Sequence, residues 1–430
     1  MHPVHARIHH WFVPHRIVYD DWEAFITGGP DGLDASVFPT LDTDQIQGQL
    51  ADYLGITPEN TTEKVSALPF RAYAKIWNEF YRDQDLQTEL VISTASGVDV
   101  TTSQLLQNVS WEKDYFTSSR PWTQKGPEIT LPIGTVAPVA VDVETGDASV
   151  YSTTSDAYKL LKANSANVEA SSDAGVIGNR LYADLENATG ATINELRLAF
   201  ALQRYEEARA RYGSRYTEYL RYLGVKSSDA RLQRPEYLGG GRQTIQFSEV
   251  LATAETGTTV DVADLKGHGI GSLRSNRYRR FFEEHGYVIS LLSVKPKTMY
   301  TQGIERHWSR TTKEDFWQKE LQHIGQQEIF NKEIYAPHAT PAGIFGYQDR
   351  YDEYRRQTST IAGEFRATAL NFWHMARIFG SDPTLNADFV KSVPTKRIHA
   401  VTTNDVLWVM AKHSIQARRM VAKMGTASIF

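Results

Sequence analysis

Two basic clusters with interleaved aromatics hold the side chains best suited to chemistry. Arg274, Arg277, Arg279 and Arg280 surround Tyr278, and Lys412, His413, Arg418, Arg419 and Lys423 gather near the C-terminus. Cationic side chains meet phosphates while rings stack on bases, so this combination suits single-stranded nucleic acid. The same arginines could instead pair with some of the 51 acidic residues across contacts between subunits. Covalent chemistry finds little to work with. There is no HExxH, GxSxG, Walker loop or paired CxxC. His323 and Glu328 flank Gly325 at a spacing that would not align them on a helix. Asp20, Asp21 and Glu23, like Glu206 and Glu207, read as solvated faces or ion pairs. A carboxylate pair that meets only in space, as glycoside hydrolysis requires, stays open. His2, His5, His9, His10 and His15 crowd the first fifteen residues. His5 and His9 would converge on a metal only from a helix, whereas their setting reads as strand, so packing or surface roles are expected instead. No catalytic residue, metal or cofactor is expected.

Residues 229–250, DARLQRPEYLGGGRQTIQFSEV, carry a different signal. Gly239, Gly240 and Gly241 remove every Cβ from the backbone, which allows a positive φ or close contact with another chain. A phosphate-cradling loop would need a strand before the glycines and a helix after them. Residues 243–247, just beyond the glycines, alternate as a half-buried strand does. A sharp turn where chains pack closely is therefore expected. Arg231, Arg234 and Tyr237 are its neighbouring contact candidates, and Gly240→Val is expected to block assembly more than it perturbs the isolated subunit.

The positioning elements can be read along the chain. Residues 4–13 read as a strand stopped by Pro14, and Trp22, Phe25 and Ile26 start a helical turn ending at Gly28. Residues 41–54 show helical spacing behind Asp42. Residues 69–82 place Tyr73, Ile76, Trp77, Phe80 and Tyr81 on one stripe of an amphipathic helix, a core stripe rather than an aromatic binding box. Two β-like runs come next, EITLPI (128–133) and VAPVAVDV (136–143). Residues 145–178 have the polar, turn-forming composition of an exposed or weakly ordered insertion. Residues 192–223 are the longest helix candidate, with a capping box at Thr192 and Glu195 and a break at Gly213. A turn is expected near Gly257 and a loop at Gly267, Gly269 and Gly271. Residues 287–294 read as a buried strand, residues 311–324 as a helix stopped by Gly325, and residues 396–403 and 406–417 as closing strands. No βαβ alternation and no internal repeat is visible.

Composition bounds the class. A chain of 430 residues can build one large domain with insertions or two to three ordinary ones. A net charge of −5 argues against a globally basic nucleic-acid binder, so any DNA contact must come from local patches. Nine Trp and 21 Tyr suit large buried interfaces, or sugar stacking. The absence of cysteine removes disulfides, thiolate zinc sites and cysteine nucleophiles. No apolar run is long enough to span a membrane, so no membrane insertion is expected, and the N-terminus lacks the plan of a signal peptide.

Seven strings in order resemble the major capsid proteins of the Microviridae, on the gokushovirus side. They are HHWFVPHRIVYDDWEAFITGG (9–29), LPFRAYAKIWNEFYRDQDLQ (68–87), KDYFTSSRPWTQKG (113–126), ARLQRPEYLGGG (230–241), GHGIGSLR (267–274), EHGYVISLLSVKP (284–296) and FGYQDRYDEYRRQTSTIAGEFR (345–366). The resemblance implies a mainly β fold: a single viral jelly roll over residues 1–430, an eight-stranded antiparallel β-sandwich with long helix- and loop-containing insertions. It implies a structural protein, not an enzyme, that self-assembles into a small T=1 icosahedral shell around circular single-stranded DNA. Its location would be the virion, after assembly in the host cytoplasm. The implied partners are copies of itself, the packaged DNA, a small basic DNA-binding protein, an internal scaffolding protein and a host surface receptor. Residues 135–180 become the candidate threefold protrusion and host contact, and residues 192–223 a helical insertion. Family members usually carry several dozen residues before the string at 9–29, including early strand material. Either another segment is then expected to cover the sheet edge, or the native chain to be longer. Two further readings compete: a carbohydrate-binding or carbohydrate-active β-rich protein, and a single-stranded DNA-binding protein acting alone.

Overall fold

The computed structural model describes residues 2–130, 139–141, 148–163, 168–174, 181–183, 192–251, 265–399, 402–403 and 405–421. Its principal sheet has four antiparallel strands in the order Leu265–Ile270, Glu236–Leu251, Val4–Pro14, Gly286–Pro296. The first strand of the chain is thus a central one, bonded along both edges. Its alternating pattern sends Trp11 and Val13 to one face, where they pack with Val18, Tyr19, Leu68, Ala72, Ile76 and Ile289.

The helix Leu68–Phe80 covers that face, with a proline in its first turn where the missing N–H costs nothing. Tyr73, Ile76 and Trp77 are buried, as a core stripe should be. Phe80 stacks on Trp11 with ring centroids 4.0 Å apart. A second core cluster joins Tyr115, Phe116 and Tyr300 to the hairpin strands Gln326–Phe330 and Ile344–Asp349. A third places Leu41, Leu50 and Ala51 against Ala67, Phe70 and Tyr73.

Several expectations change. Among the described residues the architecture mixes helices with antiparallel sheets, rather than being mainly β. Residues 145–178 include more than loop: Ser149–Ser152, Ala157–Ala163 and Val168–Ala174 form a three-stranded antiparallel sheet. Among the described residues of the two β-like runs, only Val139–Val141 is a strand, paired with Leu181–Ala183; residues 131–138 and 142–143 lie outside the described residues. Residues 41–54 keep only the helical turn Leu50–Tyr53, because Gln45 and Gly48 take positive φ. The glycines at 267 and 269 sit in a strand, Leu265–Ile270, not a loop, and the turn expected near Gly257 lies outside the described residues. Strand Gly286–Pro296 is half-buried, with Val288 42% and Leu292 43% exposed, because one face lacks a covering layer among the described residues. Residues 311–324 form only a 3-10 turn, Lys313–Asp315, since that segment has no apolar face buried to hold a longer helix. Residues 396–403 and 406–417 form no strand among the described residues. They find no ladder partner, and Trp408 and Met410 are 97% and 100% exposed.

The long helix follows its sequence signals. Ile193–Tyr212 begins at a complete Thr192/Glu195 capping box and stops at Gly213, where φ is +102°, before a second helix, Tyr216–Tyr222.

Candidate assembly and nucleic-acid interfaces

The triple glycine is not a turn. It runs through the middle of strand Glu236–Leu251. Pairing passes from His10 opposite Gly239 to Trp11 opposite Tyr237, so Leu238 is the extra residue of a β-bulge, and Gly239 takes φ +146° there. Beyond the bulge the missing Cβ atoms serve close approach. A Cβ on Gly240 would lie 2.2 Å from the Ile8 carbonyl oxygen, 2.9 Å from the Tyr237 hydroxyl and 3.0 Å from His9 Cδ2. A Cβ on Gly241 would lie 2.6 Å from the Arg274 carbonyl oxygen. The two glycines thus admit their own neighbouring strand and a crossing segment, both from the same chain.

That crossing segment is the first arginine cluster. The Asn276 N–H donates to the Gly240 carbonyl at 3.0 Å and pins it to the sheet. Tyr278 packs its ring on His10 at 5.5 Å, Phe282 on Phe12 at 4.4 Å, and Arg280 pairs with Glu236 at 2.9 Å. These contacts use one arginine and hold the backbone of the rest. Arg274, Arg277 and Arg279 remain exposed and form no ion pair among the described residues. Among the described residues, pairing with acidic residues within the subunit therefore accounts for Arg280 alone.

One member of the second cluster, His413, acts electrostatically on the same place. Lys412, His413, Arg418 and Arg419 are exposed, while Lys423 lies outside the described residues. Burial lowers the pKa of His10, and the charge of His413 lowers it further. His413, more than 130 residues from the first cluster in sequence, is thus within electrostatic reach of His10, at one face of the principal sheet. Local sequence gives no sign of this, because it depends on the central position of Val4–Pro14.

The other histidines serve packing. The His9 ring bonds the Tyr81 hydroxyl at 2.8 Å, and His5 meets Thr244 at 3.0 Å. His15 sits edge-on between Trp22 and Tyr287, and burial lowers its pKa to about 4.

The contact candidates divide. Arg231 is exposed, and Tyr237 is 51% exposed with its ring 5.0 Å from Trp11. Arg234 is not a surface contact. It is 7% exposed, its guanidinium lies 4.3 Å from the Phe80 ring centre, and it pairs with Asp229 at 3.4 Å and Glu79 at 3.9 Å. It fastens the approach to the glycine strand onto the aromatic helix.

Two buried ionic sites have no counterpart among the sequence motifs. Arg71 and Asp99, both fully buried, pair at 2.8 Å. Glu333, on the turn after Gln326–Phe330, accepts from the Tyr115 hydroxyl and from Arg306, each at 3.1 Å. Burial raises the Glu333 pKa in spite of Arg306, and burial likewise raises that of Tyr115. Both sites tie distant segments together.

Comparison with known proteins places the chain in a family. Residues 1–429 match the family described as capsid protein (F protein) of phages. The chain is 37% identical over 423 residues to capsid protein VP1 of Bdellovibrio phage phiMH2K, covering 92% of this chain and 79% of that one. It is 31% identical to capsid protein VP1 of Chlamydia phage 1, covering 91% and 81%, and 33% identical to that of Spiroplasma virus 4, covering 88% and 76%. These matches displace the carbohydrate-binding alternative. The chain belongs to the phage F capsid protein family of the Microviridae, the major capsid proteins of small single-stranded DNA phages.

Proposed function

We propose that this capsid protein builds a small T=1 icosahedral shell around circular single-stranded DNA, with the His10 face of the principal sheet turned towards the genome. One observation carries this: the first basic cluster lies across His10, and three of its arginines have no acidic partner among the described residues, while His413 of the second acts electrostatically on the same ring. On a chain of net charge −5, such a local concentration is the available route to phosphate contact. Tyr278, 38% exposed, adds a ring for base stacking. The fold would be the family's jelly roll, with the four-stranded sheet as one of its layers. A small basic DNA-binding protein and an internal scaffolding protein would assist assembly.

Replacing Arg274, Arg277 and Arg279 together by Ser tests the surface. Each phosphate contact contributes about 0.7 to the slope of log K against log salt for single strands, so the slope should fall by about 2. Because the three side chains are exposed, subunit stability should change by no more than about 0.5 kcal/mol. An unchanged slope in DNA-binding titrations would remove these arginines from the DNA surface.

Residues 135–180 would form the protrusion at the threefold axes and contact the host receptor. The three-stranded sheet within this region favours a self-supporting surface module over a slack loop. Deleting the region should leave shells that assemble but attach poorly to cells. If the deletion instead abolishes folding, the region belongs to the subunit's core.

A further inference from the structure

The helix Ile193–Tyr212 is thinly covered by its own subunit among the described residues. It runs for 20 residues, yet only Ala210 is buried. Leu198, Leu202, Tyr205 and Tyr212 are 58%, 42%, 40% and 51% exposed. Their spacing of four, three and seven residues places them on one side of the helix. The stripe continues onto the next helix, where the Tyr212 and Tyr222 rings lie 5.1 Å apart. Exposed apolar stripes rich in Leu and Tyr with interspersed Arg are what protein interfaces use.

We propose that this stripe docks antiparallel on the same helix of a second copy, across a twofold axis centred on Leu202; the proposal rests on the self-assembly that the capsid reading supplies. The charge pattern selects a second copy over an unrelated protein. Glu195 lies seven residues before Leu202 and Arg209 seven residues after it. Seven residues are two turns, so acid, centre and base fall on one line along the helix. Turned about Leu202, each Glu195 meets Arg209 of the partner subunit, and each Leu198 meets Tyr205 of the partner subunit. A twofold contact must be self-complementary in this way. The charged ends are also available. Arg209 lies over the Tyr205 ring at 5.6 Å and has no ion pair among the described residues. Glu195 is exposed and uses Oε2 for the Thr192 cap.

The chain contains no cysteine, so Leu202→Cys supplies a single thiol. Mild oxidation of assembled Leu202→Cys particles should give a disulfide-linked dimer in at least tenfold higher yield than Lys226→Cys, an exposed control. Arg209→Glu on the Leu202→Cys background should lower that yield, and adding Glu195→Lys should restore it. Particles that assemble while Leu202→Cys dimerises no better than the control would overturn the twofold docking and leave the capsid reading standing. A Leu202→Cys adduct with a different protein would also overturn it. A chain that makes no particles even without substitutions would count against the capsid reading itself.

Discussion

Gly240→Val is expected to abolish the folded subunit, not merely its assembly. Gly240 is buried opposite His9 in a central strand pair. Its Cβ would stand 2.2 Å from a backbone oxygen of the neighbouring strand, well inside contact distance, and a backbone oxygen cannot swing aside as a side chain can. Accommodating valine means separating Val4–Pro14 from Glu236–Leu251 at the centre of the four-stranded sheet. That would loosen the Trp11–Phe80 stack beneath and the Asn276 anchor above. Overpacking of a close backbone contact falls in the upper range of single-substitution effects, about 4 kcal/mol or more. Gly239→Ala should cost less, about 1–3 kcal/mol. No atom lies within 4 Å of that Cβ, and only the φ of +146° resists it. Circular dichroism and thermal melts of the unassembled subunits give the order. A Gly240→Val subunit that melts like its parent but fails to form shells would restore the view that these glycines serve contacts between chains.

The glycines show where sequence stops being legible. Three adjacent residues without Cβ announce that the backbone needs space, but a turn and a close approach remove the same atom. Only the neighbours decide, and Ile8 and Arg274 are more than 30 residues away in either direction. Elements whose signals are local were readable: strand Val4–Pro14 from its β-branched and aromatic run, helix Leu68–Phe80 from its apolar stripe, helix Ile193–Tyr212 from its capping box. Residues 406–417 have the composition of a strand, but a strand also needs a ladder partner, and none is present among the described residues. Residues 311–324 have caps without a buried face. The candidate DNA surface was half legible. Each basic cluster was visible, but the packing of the first across His10 is a consequence of sheet order. Arg71 did leave a trace: it is a cation set between the buried Phe70 and Ala72 in the helix.

Arg71→Met should lower subunit stability by about 3–5 kcal/mol, because it strands a buried carboxylate. The guanidinium joins three segments. Nε donates to Asp99 Oδ2 at 2.8 Å, Nη1 to the Val18 carbonyl at 3.1 Å, and Nη2 to the Ala95 carbonyl at 2.9 Å. Asp99 also accepts from the Thr101 and Thr102 backbone N–H groups, each at 3.0 Å, and from the Thr102 hydroxyl at 2.7 Å. Burial alone would raise the Asp99 pKa, but these donors and Arg71 hold it below the ordinary 3.8. A depressed carboxylate pKa stabilises the fold above the unfolded value and loses that contribution as pH falls through the folded one. The gap between parent and Arg71→Met should therefore narrow as pH drops below about 3.8. Arg71→Lys should recover only part of the loss, since an ammonium cannot reproduce the planar fork. Arg71→Met combined with Asp99→Asn should be more stable than Arg71→Met alone, because the uncompensated charge is gone while the threonine N–H groups keep an acceptor. Melts of the four proteins across pH separate these effects. An Arg71→Met subunit within about 1 kcal/mol of the parent, far under the 3–5 expected for a stranded buried charge, would mean that water or a rearranged loop reaches Asp99 and that the pair is not a structural anchor.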